Sequence, residues 1–276
     1  MRELEGKVAV VTGGAGGIGE AIARACADAG MQVVVADIDE PRLVATVDSL
    51  GGDGIEVQGV PTDVRDAAAM ESLRDAVLSR FGAIQLVCLN AGGPPIRMTT
   101  ETTSAYWKRS LELNLFGVIN GVEAFLPGLR EQGEGHICTT ASLAGLVPVP
   151  PVAAYNAAKA AVIAYMETLG HELREEGSPL GLSVVCPGNV ATNIIENAMQ
   201  LTQSDGYEPS QRELETTFRA QARITETGIE PETVGRAVVE GVREGRFWIF
   251  TDPEMSTGAV KLRHEAMVNE GALLSW

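Results

Sequence analysis

A phenol and an amine stand four residues apart in Tyr155-Asn156-Ala157-Ala158-Lys159. On a helix that spacing puts both side chains on one face. A phenol with a pKa near ~10 is a poor proton shuttle at neutral pH, and a nearby ammonium stabilises its phenolate. The pair therefore reads as a general acid/base with its pKa drawn toward the working range. Such a pair is often only helix surface, and Ser142 is what changes the weighting. Ser142 follows a strand-like run, on the sheet edge where ligands bind in doubly wound folds. From there its hydroxyl could bond a substrate oxygen while Tyr155 exchanges the proton. A Ser-His-Asp hydrolase does not fit, because Ala141-Ser142-Leu143 is no GxSxG elbow and no histidine follows at a strand end.

A second constellation lies near the N-terminus, in Thr12-Gly13-Gly14-Ala15-Gly16-Gly17-Ile18-Gly19. An apolar run precedes it and a helical pattern follows. Glycines at such a turn let the backbone approach a pyrophosphate, while the helix N-terminus supplies free N–H groups and a positive dipole. Asp37 lies 18 residues beyond Gly19, where a carboxylate can accept hydrogen bonds from an adenosine ribose. The same carboxylate repels a 2′-phosphate. Ile38 offers no replacement cation, and Ala15 and Gly16 offer none inside the turn. The expected cofactor is NAD.

Other chemistries find little support. The four cysteines sit in apolar runs without a CxxC, as buried residues of a reduced compartment do. His136, His171 and His264 are scattered without metal-ligand spacing, so no metal site is expected. With 37 acidic against 21 basic residues the net charge is −16, which opposes nucleic acid and anionic membranes. No signal peptide or membrane-spanning apolar run is legible, and a cytoplasmic protein is the expectation.

The elements that must hold these residues alternate along the chain. Strands are expected over 8–12, 32–36, 55–60, 85–90, 135–140, 182–186 and 247–250. Helices are expected over 19–29, 65–81, 105–131, 155–176 and 231–244, with a short one begun near Pro41. Most strands are apolar throughout, as strands covered on both faces are. Repeated strand–helix–strand units predict an α/β fold: a single Rossmann-like, doubly wound parallel sheet of about seven strands with helices on both faces. The whole chain, 1–276, reads as one dinucleotide-binding catalytic domain. A polar stretch over 189–230 is expected to act as a substrate lid. The tail over 253–276 holds a helical piece near 258–270 and ends in Leu-Leu-Ser-Trp.

In their order and spacing, Thr12–Gly19, Asp63-Val64, Asn90-Ala91-Gly92, Asn114, Ser142, Tyr155, Lys159 and Pro187-Gly188 resemble the short-chain dehydrogenase/reductase family over about residues 4–250. The resemblance implies that Gly13, Ala15, Gly16, Gly17, Ile18 and Gly19 cradle the cofactor, with Asp37 and Ile38 at its adenosine. It implies that Asp63 holds the adenine amino group beside the Val64 N–H, and that Asn90, Ala91 and Gly92 line the cleft. Asn114 would hold a water linking Lys159 to solvent, and Lys159 would also orient the nicotinamide ribose. Pro187, Gly188, Val190 and Thr192 would close over the nicotinamide and phosphates. Each has a plainer alternative: Asn90 and Asn114 as structural hydrogen-bonders, Asp63 as the cap of the helix entered at Asp66, Gly188 as a turn residue.

The substrate end should be bordered by Gly93, Pro94, Leu143, Asn189, Ile194 and Met199, with Ile96, Leu146 and Val147 nearby. No Lys or Arg joins them except Arg97, expected to point to solvent, so an uncharged hydrophobic alcohol or ketone fits best. The aromatic strand before Thr251 and Pro253 resembles a branch with members acting on aryl or terpenoid alcohols. The leading expectation is an NAD-dependent dehydrogenase of a secondary alcohol, with direct hydride transfer. A carbonyl or 3-oxoacyl-type reductase is the alternative, and an idle dinucleotide sensor a third. Leu111, Leu115, Val118, Val122 and Phe125, with Val162, Ala164, Met166 and Leu169, look like more apolar surface than one chain can cover. A homo-oligomer is expected on that ground, a tetramer or a dimer, as the resemblance also implies.

Overall fold

Parallel strands buried on both faces need apolar side chains at every position, and the short Val-rich runs of this chain supply them. In the computed structural model, which describes residues 1–51, 55–94, 96–193 and 208–271, these runs become β1 (Val8–Thr12), β2 (Gln32–Asp37), β3 (Val57–Pro61), β4 (Leu86–Leu89), β5 (His136–Thr140), β6 (Gly181–Cys186) and β7 (Trp248–Phe250). They form one sheet in the order β3-β2-β1-β4-β5-β6-β7, every pairing parallel. The expected Rossmann-like sheet is what the chain folds into.

The helices are α1 (Gly17–Asp28), α2 (Glu40–Leu50), α3 (Ala67–Phe81), α4 (Ser104–Leu111), α5 (Gly117–Gln132), α6 (Leu143–Leu146), α7 (Ala153–Glu175), α8 (Gln211–Thr227), α9 (Pro231–Glu244) and α10 (Pro253–Glu265). Alternate residues of each strand serve opposite layers. Val10, Val34, Val87, Ile137 and Val184 face the layer of α3, α5 and α7, where Met70, Leu73, Phe125, Val162 and Met166 meet them. Ala9, Val11, Val33, Leu86 and Val185 face α1 and α9, meeting Ile22, Cys26, Val234 and Val238. Strand order reverses between β1 and β4, so a crevice opens at their carboxyl ends.

Several expectations need correction. The helix expected over 105–131 is interrupted: between α4 and α5 the segment Glu112–Phe116 is π-helical, with Asn114 at its centre. Helix α8 lies inside the stretch read only as polar insertion. Its signal was present as Ser210-Gln211-Arg212-Glu213, a capping box in which each end bonds the other. The tail helix begins earlier than expected, because Asp252 caps it and Pro253 opens it. The apolar surplus is smaller than expected: Leu111 and Leu115 are half-buried and Ala164 is exposed, while the others are covered. Val118, Val122, Phe125, Val162, Met166 and Leu169 all belong to the core beneath the sheet, and among the described residues of α4 to α5 the large apolar side chain left in solvent is Phe116. One buried face of each helix accounts for those six. Leu273, Leu274 and Trp276 lie outside the described residues, as do Ile194 and Met199.

Candidate active site

The site grows from the carboxyl ends of β1, β4 and β5. The Thr12 hydroxyl accepts the backbone N–H groups of Asn90 (3.0 Å) and Ala91 (3.2 Å). The Asn90 amide donates to the carbonyls of Thr12 (3.2 Å) and Gly13 (3.3 Å), and its oxygen accepts the Thr140 hydroxyl (3.0 Å). The Thr140 carbonyl in turn accepts Lys159 Nζ at 2.7 Å. One chain of bonds thus runs from the glycine turn, across three strands, to the lysine of α7. The plain role proposed for Asn90, that of a structural hydrogen-bonder, is fully occupied.

Gly19 must be glycine here, since a methyl group at its α carbon would run into the Gly13 carbonyl and the Asn90 amide. Gly13 (φ +61) presses on the Ala91 backbone in a conformation other residues rarely adopt. Gly16, by contrast, faces open space. The turn is packed tightly against the protein on one side and left bare where a ligand's phosphates would approach the N-terminus of α1. Asp37 ends β2 with one carboxylate oxygen accepting Ala15 N (3.0 Å) and the other Asp39 N (3.0 Å). Each oxygen keeps a lone pair for a further donor, so turn and carboxylate form one frame that fits an adenine dinucleotide. Ile38 stands exposed beside it. Asp63 is held by Arg65 through a bidentate salt bridge, and that guanidinium keeps its carboxyl below the usual range. It does not cap α3; Asp66 does. Val64 is buried, its carbonyl accepting the Asn120 amide at 2.9 Å.

Around Tyr155 the geometry is compact. Lys159 Nζ lies 5.6 Å from the phenol ring centroid. Ser142 is the N-cap of α6, its oxygen accepting Ala144 N at 3.1 Å, which leaves the hydroxyl proton to be donated. Burial pushes the Tyr155 phenol up to about 12, opposed by the nearby Ser142 hydroxyl. Burial lowers Lys159 to about 8. Lys159 is buried and Tyr155 half-buried, and in the protein alone the ammonium is committed to the Thr140 carbonyl while the phenol stays above its ordinary value. Asn114 is wholly buried, bonded to Gly93 N and O (both 3.0 Å) and to the Ser110 carbonyl (3.0 Å). It thereby fixes Gly93 beside Gly92, whose α carbon faces Asn114 and Lys159 Nζ.

The far wall is built from β6 and the segment after it. The Pro187 carbonyl accepts Leu143 N at 2.9 Å. Asn189 and Ala191 pair with Ile229 on either side of Val190, closing the base of the 189–230 segment. The Thr192 methyl reaches over Gly17. On the substrate side Pro94 is half-buried and Leu143 partly so. Two features escaped the sequence. Met255 of α10 lays its methyl on Gly188, and Arg263 of the same helix bonds the Leu146 carbonyl. Arg97 is also misjudged: it is 4% exposed, with its guanidinium 4.8 Å from the Tyr106 ring centroid. An adjacent aromatic face gave the cation a buried seat that residue type alone does not reveal. Among the described residues, no cluster of three or more His, Cys, Asp or Glu could hold a metal ion, and no helix is long and apolar enough to cross a membrane.

A doubly wound sheet, a glycine turn with an acid at the end of the next strand, and a Tyr/Lys/Ser group on one edge define a dinucleotide-binding oxidoreductase architecture. The sequence model of the short chain dehydrogenase family matches residues 7–202, and the chain belongs to that family. It is similar to a protein named C alpha-dehydrogenase from Sphingobium sp. strain NBRC 103272 / SYK-6, 33% identical over 95% of this chain and 85% of that one. Its structure is similar to that of a short chain dehydrogenase/reductase from Burkholderia phymatum in complex with NAD, with a TM-score of 0.93 and 36% identity, covering 100% of this chain and 99% of that one. An alcohol dehydrogenase from the archaeon Thermococcus sibiricus, complexed with 5-hydroxy-NADP, is also similar (TM-score 0.71, 27% identity, 89% and 96% covered). Membership alone thus leaves the choice of nicotinamide cofactor open.

Proposed function

We propose that this protein is an NAD-dependent dehydrogenase that interconverts an uncharged, hydrophobic secondary alcohol and its ketone. The observation that carries the reading is the convergence of Tyr155, Lys159 and Ser142 on the sheet edge beside the glycine turn, with Asp37 at the end of the neighbouring strand. Tyr155 is the general acid/base at the substrate oxygen. Ser142, whose oxygen is already engaged by Ala144, donates its hydroxyl proton to the same substrate oxygen. Lys159 stands close to the Tyr155 ring and holds positive charge against it below its own pKa of about 8. Asn114 keeps the Gly93 backbone, and with it the substrate end, in place; a water at this buried turn would connect Lys159 to solvent.

Gly13, Ala15, Gly16, Gly17, Ile18 and Gly19 would hold the pyrophosphate, Asp37 the adenosine ribose, and Asp63 with Val64 the adenine. Pro187, Gly188, Val190 and Thr192 would cover the nicotinamide end. When bound, NAD supplies the hydride acceptor at its nicotinamide C4 and a positive charge on the oxidised ring. Asp37 favours NAD over NADP because a 2′-phosphate would be brought against a carboxylate with no cation in the turn. Arg97 does not argue for an anionic substrate, since it is buried with its guanidinium against the Tyr106 ring.

We read the chain as one catalytic domain over 1–276 with 189–230 as its lid, in the cytoplasm, where its four buried free cysteines stay reduced. Phe116, 48% exposed at the α4–α5 junction, with half-buried Leu111 and Leu115 close by in sequence and exposed Ala164 on α7, is the apolar surface on which we base a homo-oligomer. Light scattering at micromolar protein should give at least two chains, and a mass of one chain overturns that reading. The function itself is tested by following nicotinamide absorbance with a panel of secondary alcohols, aromatic and cyclic ones included, against NAD and NADP. Turnover with NAD and a neutral alcohol is expected. Binding of NADH with no turnover on any alcohol or ketone would leave a sensor instead.

A further inference from the structure

Helix α8 is a polar helix with a narrow inner face: Glu213 and Thr217 are buried, and Ala220 and Ile224 are half-covered further along. Ala220, Ile224 and Tyr155 all pack against the same pair, Ile96 and Val152. That contact makes α8 a wall of the site. It is a small contact for a seventeen-residue helix. The stronger attachment is at the head of the helix, where the Glu213 carboxylate is 1% exposed. One of its oxygens accepts Met98 N at 2.8 Å and the other accepts Ser210 N at 2.9 Å. The first bond crosses 115 residues to the loop that carries Gly93, Pro94 and Ile96. Arg97 and Tyr106, both buried, lie close by, and the charges of Arg97 and Glu213 both act on the Tyr106 phenol.

We propose that Glu213 is a positioning residue for the substrate end: its carboxylate latches α8 onto the 96–98 loop, and so sets the apolar cluster that Ala220 and Ile224 share with Tyr155 through Ile96 and Val152. A capping box alone would need Glu213 only for Ser210, on the same helix. The bond to Met98 is what a cap does not require, and charge-assisted bonds to a buried carboxylate are strong enough to decide where a weakly packed helix sits. The effect on catalysis rests on the alcohol dehydrogenase reading, whereas the latch itself does not.

Three variants separate the possibilities: Glu213→Ala, which removes both bonds; Glu213→Gln, which keeps an acceptor for Met98 but turns an amide donor toward Ser210 N–H; and Ser210→Ala, which removes the hydroxyl cap and leaves the Met98 bond. Hydrogen–deuterium exchange of the 93–98 and 211–227 peptides, NADH titration and steady-state kinetics are read on each full-length protein. Glu213→Ala should speed exchange in both peptides and raise KM for the alcohol roughly ten- to a hundredfold, with kcat within a few-fold and the NADH Kd unchanged. Glu213→Gln should fall between it and wild type, and Ser210→Ala should leave the 93–98 exchange and KM near wild type. If Ser210→Ala reproduces the Glu213→Ala pattern, Glu213 is only a helix cap and the proposal fails. It fails equally if Glu213→Ala leaves exchange in the 93–98 peptide unchanged. Absence of turnover in wild type would instead overturn the dehydrogenase reading, and the exchange data would still decide the latch.

Discussion

The two ends of the crevice are held by different means. At the cofactor end, Thr12, Asn90, Thr140 and Lys159 stitch strand ends that are neighbours in the sheet, and most of their partners are backbone groups. At the substrate end, single side chains bridge elements far apart in sequence: Glu213 to Met98, Arg263 to Leu146, Met255 to Gly188. The first arrangement tolerates little variation, because each bond depends on backbone the sheet already fixes. The second can be rebuilt by changing a side chain or a loop length without disturbing the sheet. This division separates what every such enzyme must do, hold a dinucleotide and move a proton, from what must vary with the substrate.

If the division is right, the largest effects should come from the rigid end and be blind to substrate shape. Tyr155→Phe should cut kcat/KM by about 10²–10⁴-fold for every alcohol tested, while NADH still binds, since only the proton shuttle is lost. A rate near wild type would break the assignment of Tyr155. Burial holds the phenol near 12 in the protein alone, so alcohol oxidation, which needs the phenolate, should accelerate with pH until it reaches the pKa that Tyr155 has in the complex. The sign comes from the phenolate fraction, which grows tenfold per pH unit below that pKa.

Asp37→Ala should act next in size and still be indifferent to the alcohol. It removes a carboxylate that also accepts Ala15 N and Asp39 N, so NAD use should weaken as NADP becomes tolerated. The ratio of kcat/KM for NAD over NADP should shrink by about ten- to a hundredfold, on the scale of one charged hydrogen-bonding group. Equal use of the two cofactors by the wild-type protein would show that Asp37 does not set the preference.

The same division explains which features are legible in the chain. The sheet was legible because buried parallel strands write themselves as unbroken apolar runs, and the site core because glycines, Asp37, Ser142, Tyr155 and Lys159 keep fixed offsets from strand ends. Even there, burial escaped: nothing in Tyr155-Asn156-Ala157-Ala158-Lys159 tells that the ammonium is spent on the Thr140 carbonyl. At the substrate end the spacing carries almost nothing. Arg97 looked solvent-bound because its aromatic seat, Tyr106, lies on another element. The apolar residues of α5 and α7 looked surplus because a sequence does not show how much of a helix a twisted sheet covers. The α8 capping box was in plain view, and only its bond to Met98 is a matter of three dimensions.

The smallest effect, and the sharpest test of the division, belongs to Met255. Its methyl rests on Gly188, at the turn proposed to cover the nicotinamide, while Arg263, eight residues on, ties the same helix to Leu146 beside Ser142. Helix α10 therefore touches both sides of the substrate end. Met255 is 39% exposed, so its truncation should disturb the core little and leave the melting temperature close to wild type. Met255→Ala opens space of a few methylene groups, and a pocket discriminates such groups by about 1–3 kcal/mol when they are fully enclosed. With a partly open wall the lower figure applies, about 1 kcal/mol or roughly fivefold. Bulkier secondary alcohols should gain that factor in kcat/KM relative to small ones, with NADH affinity unchanged. A uniform loss across all alcohols, accompanied by a lower melting temperature, would mean that α10 merely supports the fold, and that the variable end of this crevice stops at α8.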